Sequence, residues 1–294
     1  MTAVPYDEFG LFPENAEEFG LPWTGPPTVR REDVEVEPGR VVSALVWGDA
    51  DPELVLLHGG AQNAHTWDTV ALALGRPLVA VDLPGHGHSG WRSDHVYLPA
   101  VIAEDVAVAV RALAPRPRLV VGMSLGGLTA IALAARHPDL VPRLVVIDVT
   151  PGTDRERAEP IAAFVAGPER FATFEEILDR TVAFNPTRSV SSLRRGILHN
   201  AVQGDDGSWV WRYDRTWSVG EEGPDFRDLW DDLERVTAPT LLVRGEHGLV
   251  GDDDAAEFLR RRPDTRIEIV PGAGHSVQGD RPVELAQLLT DFLD

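Results

Sequence analysis

Apolar positions along most of this chain fall into two alternating rhythms. Short runs rich in Val, Leu and Ile occur at Val41–Trp47, Leu54–Leu57, Leu78–Val81, Leu119–Met123, Leu144–Val149, Thr240–Val243 and Ile267–Val270. Several are continuously apolar, as strands covered on both faces of a parallel sheet must be. Between them, segments 98–114, 125–136, 253–262 and 282–293 carry the helical period. Strands alternating with helices predict a layered α/β fold with right-handed crossovers. The alternation fails between residues 151 and 236, where helical stretches such as FEEILDRTVAF accompany an aromatic cluster, Trp209, Trp211, Tyr213 and Trp217. It resumes at TLLVRG. Loops of that length without structure of their own are uncommon, so the stretch reads as a cap inserted between two sheet strands. Residues 1–33 show no sustained period and read as an arm over the surface, with Phe9, Phe12 and Trp23 tucked against it. The expected organisation is therefore an arm (1–33), a core (34–150 and 237–294) and a cap (151–236).

Composition narrows the class of protein. At 294 residues the chain can bury a substantial core without staples. It has no cysteine, which excludes a disulfide scaffold, a thiolate metal site and a cysteine nucleophile. A net charge of −20 repels phosphate backbones and anionic lipid, so neither a nucleic acid nor a membrane is expected as partner. The first residues lack a basic segment followed by an apolar one, and no apolar run approaches the ~20 residues that span a bilayer. A soluble cytoplasmic protein acting on a small molecule is the expectation, with its oligomeric state open.

Three motifs carry chemistry. Gly122-Met123-Ser124-Leu125-Gly126 fits G-x-S-x-G, the tight strand-to-helix turn that exposes a nucleophilic serine, and it has an apolar strand before it and a small-residue helix after it. Such a turn also aims the helix N-terminus and the Leu125 N–H at any oxyanion formed there. Leu57-His58-Gly59-Gly60 ends another apolar strand and offers the Gly60 N–H as a second oxyanion donor, with His58 propping the loop. Gly272-Ala273-Gly274-His275-Ser276 follows the last strand, where a histidine can reach a serine on the central elbow. A fourth pattern, Gly85-His86-Gly87-His88-Ser89-Gly90, matches the dinucleotide fingerprint G-x-G-x-x-G but is followed by WRSDHVYLP rather than a helix, so no helix N-terminus awaits a pyrophosphate. No set of ligands completes a metal site around its two histidines, and Asp82 is expected to anchor that loop.

Taken together, HGG, DLPGHGHS, GMSLGG and GAGH resemble the α/β-hydrolase superfamily, over residues ~34–294 apart from most of the insertion. Small bacterial serine esterases, lactonases and C–C-bond hydrolases are the nearest in pattern. The resemblance implies a mostly parallel eight-stranded sheet with helices on both faces, a helical cap after strand six, and a Ser–His–acid triad needing no metal or organic cofactor. It assigns Ser124 as nucleophile, His275 as general base, and the Gly60 and Leu125 N–H groups as oxyanion hole. The acid departs from the pattern: where the family has an aspartate three residues after a strand-ending glycine, Gly245-Glu246-His247-Gly248 has glycine. Three candidates remain, in order of preference Asp148 at the end of the sixth strand, Asp252 and Glu246. Trp209, Trp211 and Trp217 are candidate pocket residues, although a small cap core accounts for them as well. The expected reaction is hydrolysis of a carboxylic ester or lactone. The alternatives are C–C-bond or thioester hydrolysis by the same triad, and a ligand sensor of this fold with little turnover.

Overall fold

The computed structural model describes residues 5–216 and 225–294. Its strands, in chain order, are β1 (Val29–Glu37), β2 (Arg40–Trp47), β3 (Leu54–Leu57), β4 (Leu78–Val81), β5 (Leu119–Met123), β6 (Leu144–Ile147), β7 (Arg170–Phe171), β8 (Ala201–Gln203), β9 (Trp209–Trp211), β10 (Thr240–Gly245) and β11 (Arg266–Val270). Among the described residues, eight form one sheet in the order β1-β2-β4-β3-β5-β6-β10-β11. Pairing is parallel from β4 to β11, and β2 runs antiparallel to both of its neighbours. This is the mostly parallel, doubly covered sheet that the sequence predicts.

The central strands are apolar without interruption because both faces are buried. Every residue of β3, β4, β5 and β6 is buried, and their alternate side chains feed two separate apolar layers. Each fully buried Leu or Val contributes about 1.5–3 kcal/mol relative to exposure. One layer is closed by the helices Pro99–Leu113 and Leu125–Arg136, the other by Asp68–Leu74 and Pro282–Leu293. A bidentate pair, Arg40 Nη1 and Nη2 to the two Asp105 carboxylate oxygens at 2.9 Å, ties β2 to the helix Pro99–Leu113.

Two regions, the arm and the insertion, differ from the sequence reading. The sheet begins at Val29, inside the expected arm, because VRREDVEVE is an edge strand with only one covered face and its charges mask the period. The arm itself contains a helix, Phe12–Glu18, whose Phe12 is buried against Trp47. Trp23, expected to be tucked in, is exposed. The insertion also differs from a purely helical cap. Helices Arg155–Val165, Phe174–Phe184 and Val190–Asn200 share it with a small antiparallel sheet, β7-β9-β8, around an apolar cluster that includes Phe171, Ile177 and Trp209. Among the described residues, no helix is long and apolar enough to cross a membrane.

Candidate active site

The topology brings the C-terminal ends of β3, β5, β6 and β10 to one edge of the sheet, and the candidate chemistry collects there. Ser124 occupies the turn from β5 into the helix Leu125–Arg136, with φ 52° and ψ −120°. A side chain at positive φ is strained and persists only where its surroundings enforce it. The flanking glycines supply the room. A Cβ on Gly122 would lie 2.1 Å from the Gly126 carbonyl oxygen, and one on Gly126 would lie 2.3 Å from that of Leu57. The helix Leu125–Arg136 can therefore lie directly against β3 and β5.

The loop after β3 is held from behind. His58 is fully buried; its Nδ1–H donates to the Gly59 carbonyl at 2.7 Å, and its Nε2 accepts the Leu83 N–H at 2.9 Å. Burial lowers its pKa, so it stays neutral and acts as a prop. The Gly59 N–H is already taken by Gln62 Oε1 at 3.1 Å. The Gly60 and Leu125 N–H groups have no hydrogen-bond acceptor among the described residues, and both residues line the same cavity as Ser124. Asp82 is buried behind this loop, where its carboxylate accepts the Ala64 and His88 N–H groups and pairs with Arg31 at 2.7 Å. Burial pushes the Asp82 carboxyl up, but Arg31 and those backbone donors outweigh it and hold its pKa below the usual value.

Asp148 sits just past the end of β6, fully buried and, like Ser124, at positive φ (49°). Its Oδ1 accepts the Gly245 N–H at 3.1 Å, and its Oδ2 accepts the Leu249 N–H at 2.6 Å and His275 Nδ1 at 2.9 Å. With Nδ1–H donating to a carboxylate, His275 Nε2 carries the lone pair. The glycine in the family's usual acid position now has a physical reason. A Cβ on Gly248 would fall 2.2 Å from Asp148 Oδ1, so a side chain there and this carboxylate exclude each other. The other two acid candidates lie elsewhere: the exposed Asp252 accepts from Arg244 at 2.9 Å, and Glu246 accepts the Gly272 N–H at 2.7 Å. Neither is hydrogen-bonded to His275. Ser124 and His275 line one cavity of about 1270 Å³ without a direct hydrogen bond between them. Nucleophile–base contacts commonly tighten only when substrate is bound.

Residues 54–288 match the sequence model of the alpha/beta hydrolase family. The chain belongs to the alpha/beta hydrolase family. It is 50% identical to the esterase Rv0045c of Mycobacterium tuberculosis over 98% of this chain and 96% of that one. A crystal structure of that esterase superposes with a TM-score of 0.88 over the full length of both chains at 48% identity. A 2-(acetamidomethylene)succinate hydrolase of Mesorhizobium japonicum is 29% identical over 90% of this chain and 95% of its own. A crystal structure of E-2-(acetamidomethylene)succinate hydrolase gives a TM-score of 0.81, at 27% identity over 91% of this chain and all of that one.

For a hydrolase of this family, the walls of the cavity are the informative remainder. Of the three candidate pocket tryptophans, Trp211 lines the cavity, whereas Trp209 packs edge-on against Phe174 in the cluster within the insertion. Trp217 lies outside the described residues. Sequence reasoning missed the polar links that fix the loop after β3. Asn200 Nδ2 donates to the Ala61 carbonyl at 2.7 Å, and Asn200 Oδ1 accepts from Asn63 at 3.2 Å. Gln62 reaches Ser276 Oγ, beside His275, at 3.4 Å. Pairs more than a hundred residues apart leave no periodic trace. The positive φ of Ala61 (59°) likewise has no signature in the sequence.

Proposed function

We propose that this hydrolase cleaves carboxylic esters, lactones included, through an acyl-enzyme on Ser124. The observation that carries the reading is the buried Asp148 carboxylate, fixed by two backbone N–H groups and directed at His275 Nδ1. It holds the imidazole in the tautomer that can accept a proton and stabilises the imidazolium that results. His275 Nε2 takes the Ser124 proton as Oγ attacks the carbonyl carbon, and the Gly60 and Leu125 N–H groups stabilise the oxyanion. Collapse expels the alcohol, which receives its proton from His275. Water, deprotonated by the same nitrogen, then releases the acid and frees Ser124.

The 50% identity to an esterase supports the ester substrate. Residues 151–236 serve in this reading as a cap that sets specificity, with Phe164, Phe184 and Trp211 providing an apolar wall. The test is a panel of acyl esters, lactones and thioesters assayed with the wild type and Ser124→Ala. Repeated turnover of esters or lactones by the wild type and its loss in Ser124→Ala are expected. Preference for thioesters would assign the same triad to another leaving group. Wild-type rates in Ser124→Ala, or a single burst followed by a lasting adduct on every substrate, would overturn the reading.

A further inference from the structure

Beside the loop after β3, three buried side chains from two parts of the fold converge on one point. His65 lies in the short 3₁₀ turn Ala64–Trp67, Asp68 begins the helix Asp68–Leu74, and His199 lies in the last turn of Val190–Asn200, in the insertion. All three are at least nine-tenths buried and line the large cavity. His65 Nδ1 is 2.9 Å from Asp68 Oδ2, and His199 Nε2 is 3.8 Å from the same oxygen. One donor atom from each residue lies within 4.8 Å of the other two.

The partners of the remaining atoms give this cluster its direction. Each imidazole is anchored through its far nitrogen: His65 Nε2 to Glu8 Oε1 at 3.2 Å, and His199 Nδ1 to the Tyr6 hydroxyl at 3.0 Å. Anchoring of the distal nitrogen by a carboxylate or other oxygen is the outer arrangement that orients metal-binding histidines. The near atoms are incompletely used. His199 Nε2 and Asp68 Oδ1 are buried and have no hydrogen-bond partner among the described residues, and such groups are costly to leave unsatisfied. Three arginines act on His199 through their charge, Arg31, Arg195 and Arg212; Arg31 is paired with Glu8 and Asp82, and Arg195 with Glu18.

We propose that His65 Nδ1, His199 Nε2 and the Asp68 carboxylate form a binding site for a divalent transition-metal ion of the zinc class. Two imidazoles and a carboxylate suit zinc, nickel or copper and offer little to calcium or magnesium. Bonds of about 2.1 Å in tetrahedral geometry put neighbouring donor atoms about 3.4 Å apart. The separations of 2.9 and 3.8 Å in the structure lie on either side of that span. The imidazole rings are now stacked, with centroids 3.7 Å apart and planes at 10°. Binding fans them open at their outer edges as Nδ1 and Nε2 converge, and the ion replaces the proton shared by His65 and Asp68. Water from the cavity fills the fourth position. Because His199 adjoins Asn200, which holds the Ala61 carbonyl, the ion clips the insertion to the loop that carries Gly60.

The test uses the full chain, stripped of metal by a chelator and titrated with zinc chloride by calorimetry and with cobalt(II) by visible absorption. The wild type is expected to bind one equivalent of zinc, to melt at a higher temperature with zinc present, and to give the intense d–d bands of a four-coordinate cobalt site with nitrogen ligands. Asp68→Asn and His199→Gln, each checked for folding by circular dichroism, should lose at least about tenfold in zinc affinity. Weak six-coordinate cobalt bands in the wild type would overturn the proposal without reference to any variant. So would unchanged zinc affinity in both folded variants.

Discussion

Replacing Asp148 with asparagine isolates the charge and acceptor character of one buried group while keeping its volume. The aspartate accepts from three donors, the N–H groups of Gly245 and Leu249 and His275 Nδ1. An asparagine offers one oxygen and one NH₂, so in either orientation the NH₂ faces a donor. If it faces the Gly245 N–H, both contacts on Oδ2 survive, but the charge that stabilises the imidazolium is gone. If it faces Leu249 and His275, the imidazole must accept at Nδ1, which puts its proton on Nε2, where Ser124 needs a base. Turnover should fall on the order of 10⁴-fold, equivalent to about 5.4 kcal/mol of transition-state stabilisation. The fold should lose about 1–3 kcal/mol, the cost of one unsatisfied buried donor. The assay is kcat on a chromogenic ester, alongside thermal melting. A folded Asp148→Asn enzyme retaining a tenth or more of wild-type kcat would refute the assignment of Asp148 as the acid.

Three other consequences are open to measurement. Gly248→Ala places a methyl group 2.2 Å from Asp148 Oδ1, which displaces the carboxylate; kcat should drop roughly 10²-fold, and wild-type kcat would show that the acid tolerates movement. Asp252→Asn and Glu246→Gln should each keep kcat within about twofold, since both carboxylates have other partners and neither is hydrogen-bonded to His275, and surface changes of this kind are usually small; a hundredfold loss in either would move the triad acid to that residue. Asp82 has a folded pKa below its unfolded value, so its contribution to stability is complete above the unfolded pKa of about 3.9 and is lost as pH falls through the folded one. Melting temperature followed from pH 7 to 2 should therefore fall less steeply on the acid side in Asp82→Asn, and parallel curves would contradict this linkage.

Legibility in the sequence followed the distance over which each feature is determined. The elbow could be read because Gly122, Ser124 and Gly126 lie within five residues and the strand and helix on either side have clear periods. The buried strands were equally plain, for both of their faces are apolar. The acid was legible only as a preference among three carboxylates, because the arrangement that favours Asp148, its carboxylate standing where a Cβ on Gly248 would fall, joins residues a hundred apart. β1 went unread in part because its outer face is charged, and β7, β8 and β9 because two or three residues cannot show a period. Tyr6, Glu8, Asp68 and His199 carry no local motif at all; only the folded chain brings the arm, the core and the insertion to one point.

The most direct measurement is the mass of the intact protein after exposure to a fluorophosphonate, followed by peptide mapping. Formation of one adduct, located on Ser124, slowed by at least a hundredfold in His275→Ala and absent in Ser124→Ala, is the predicted result. Equal labelling of the Ser124→Ala protein, or an adduct mapped to any other residue, would contradict it.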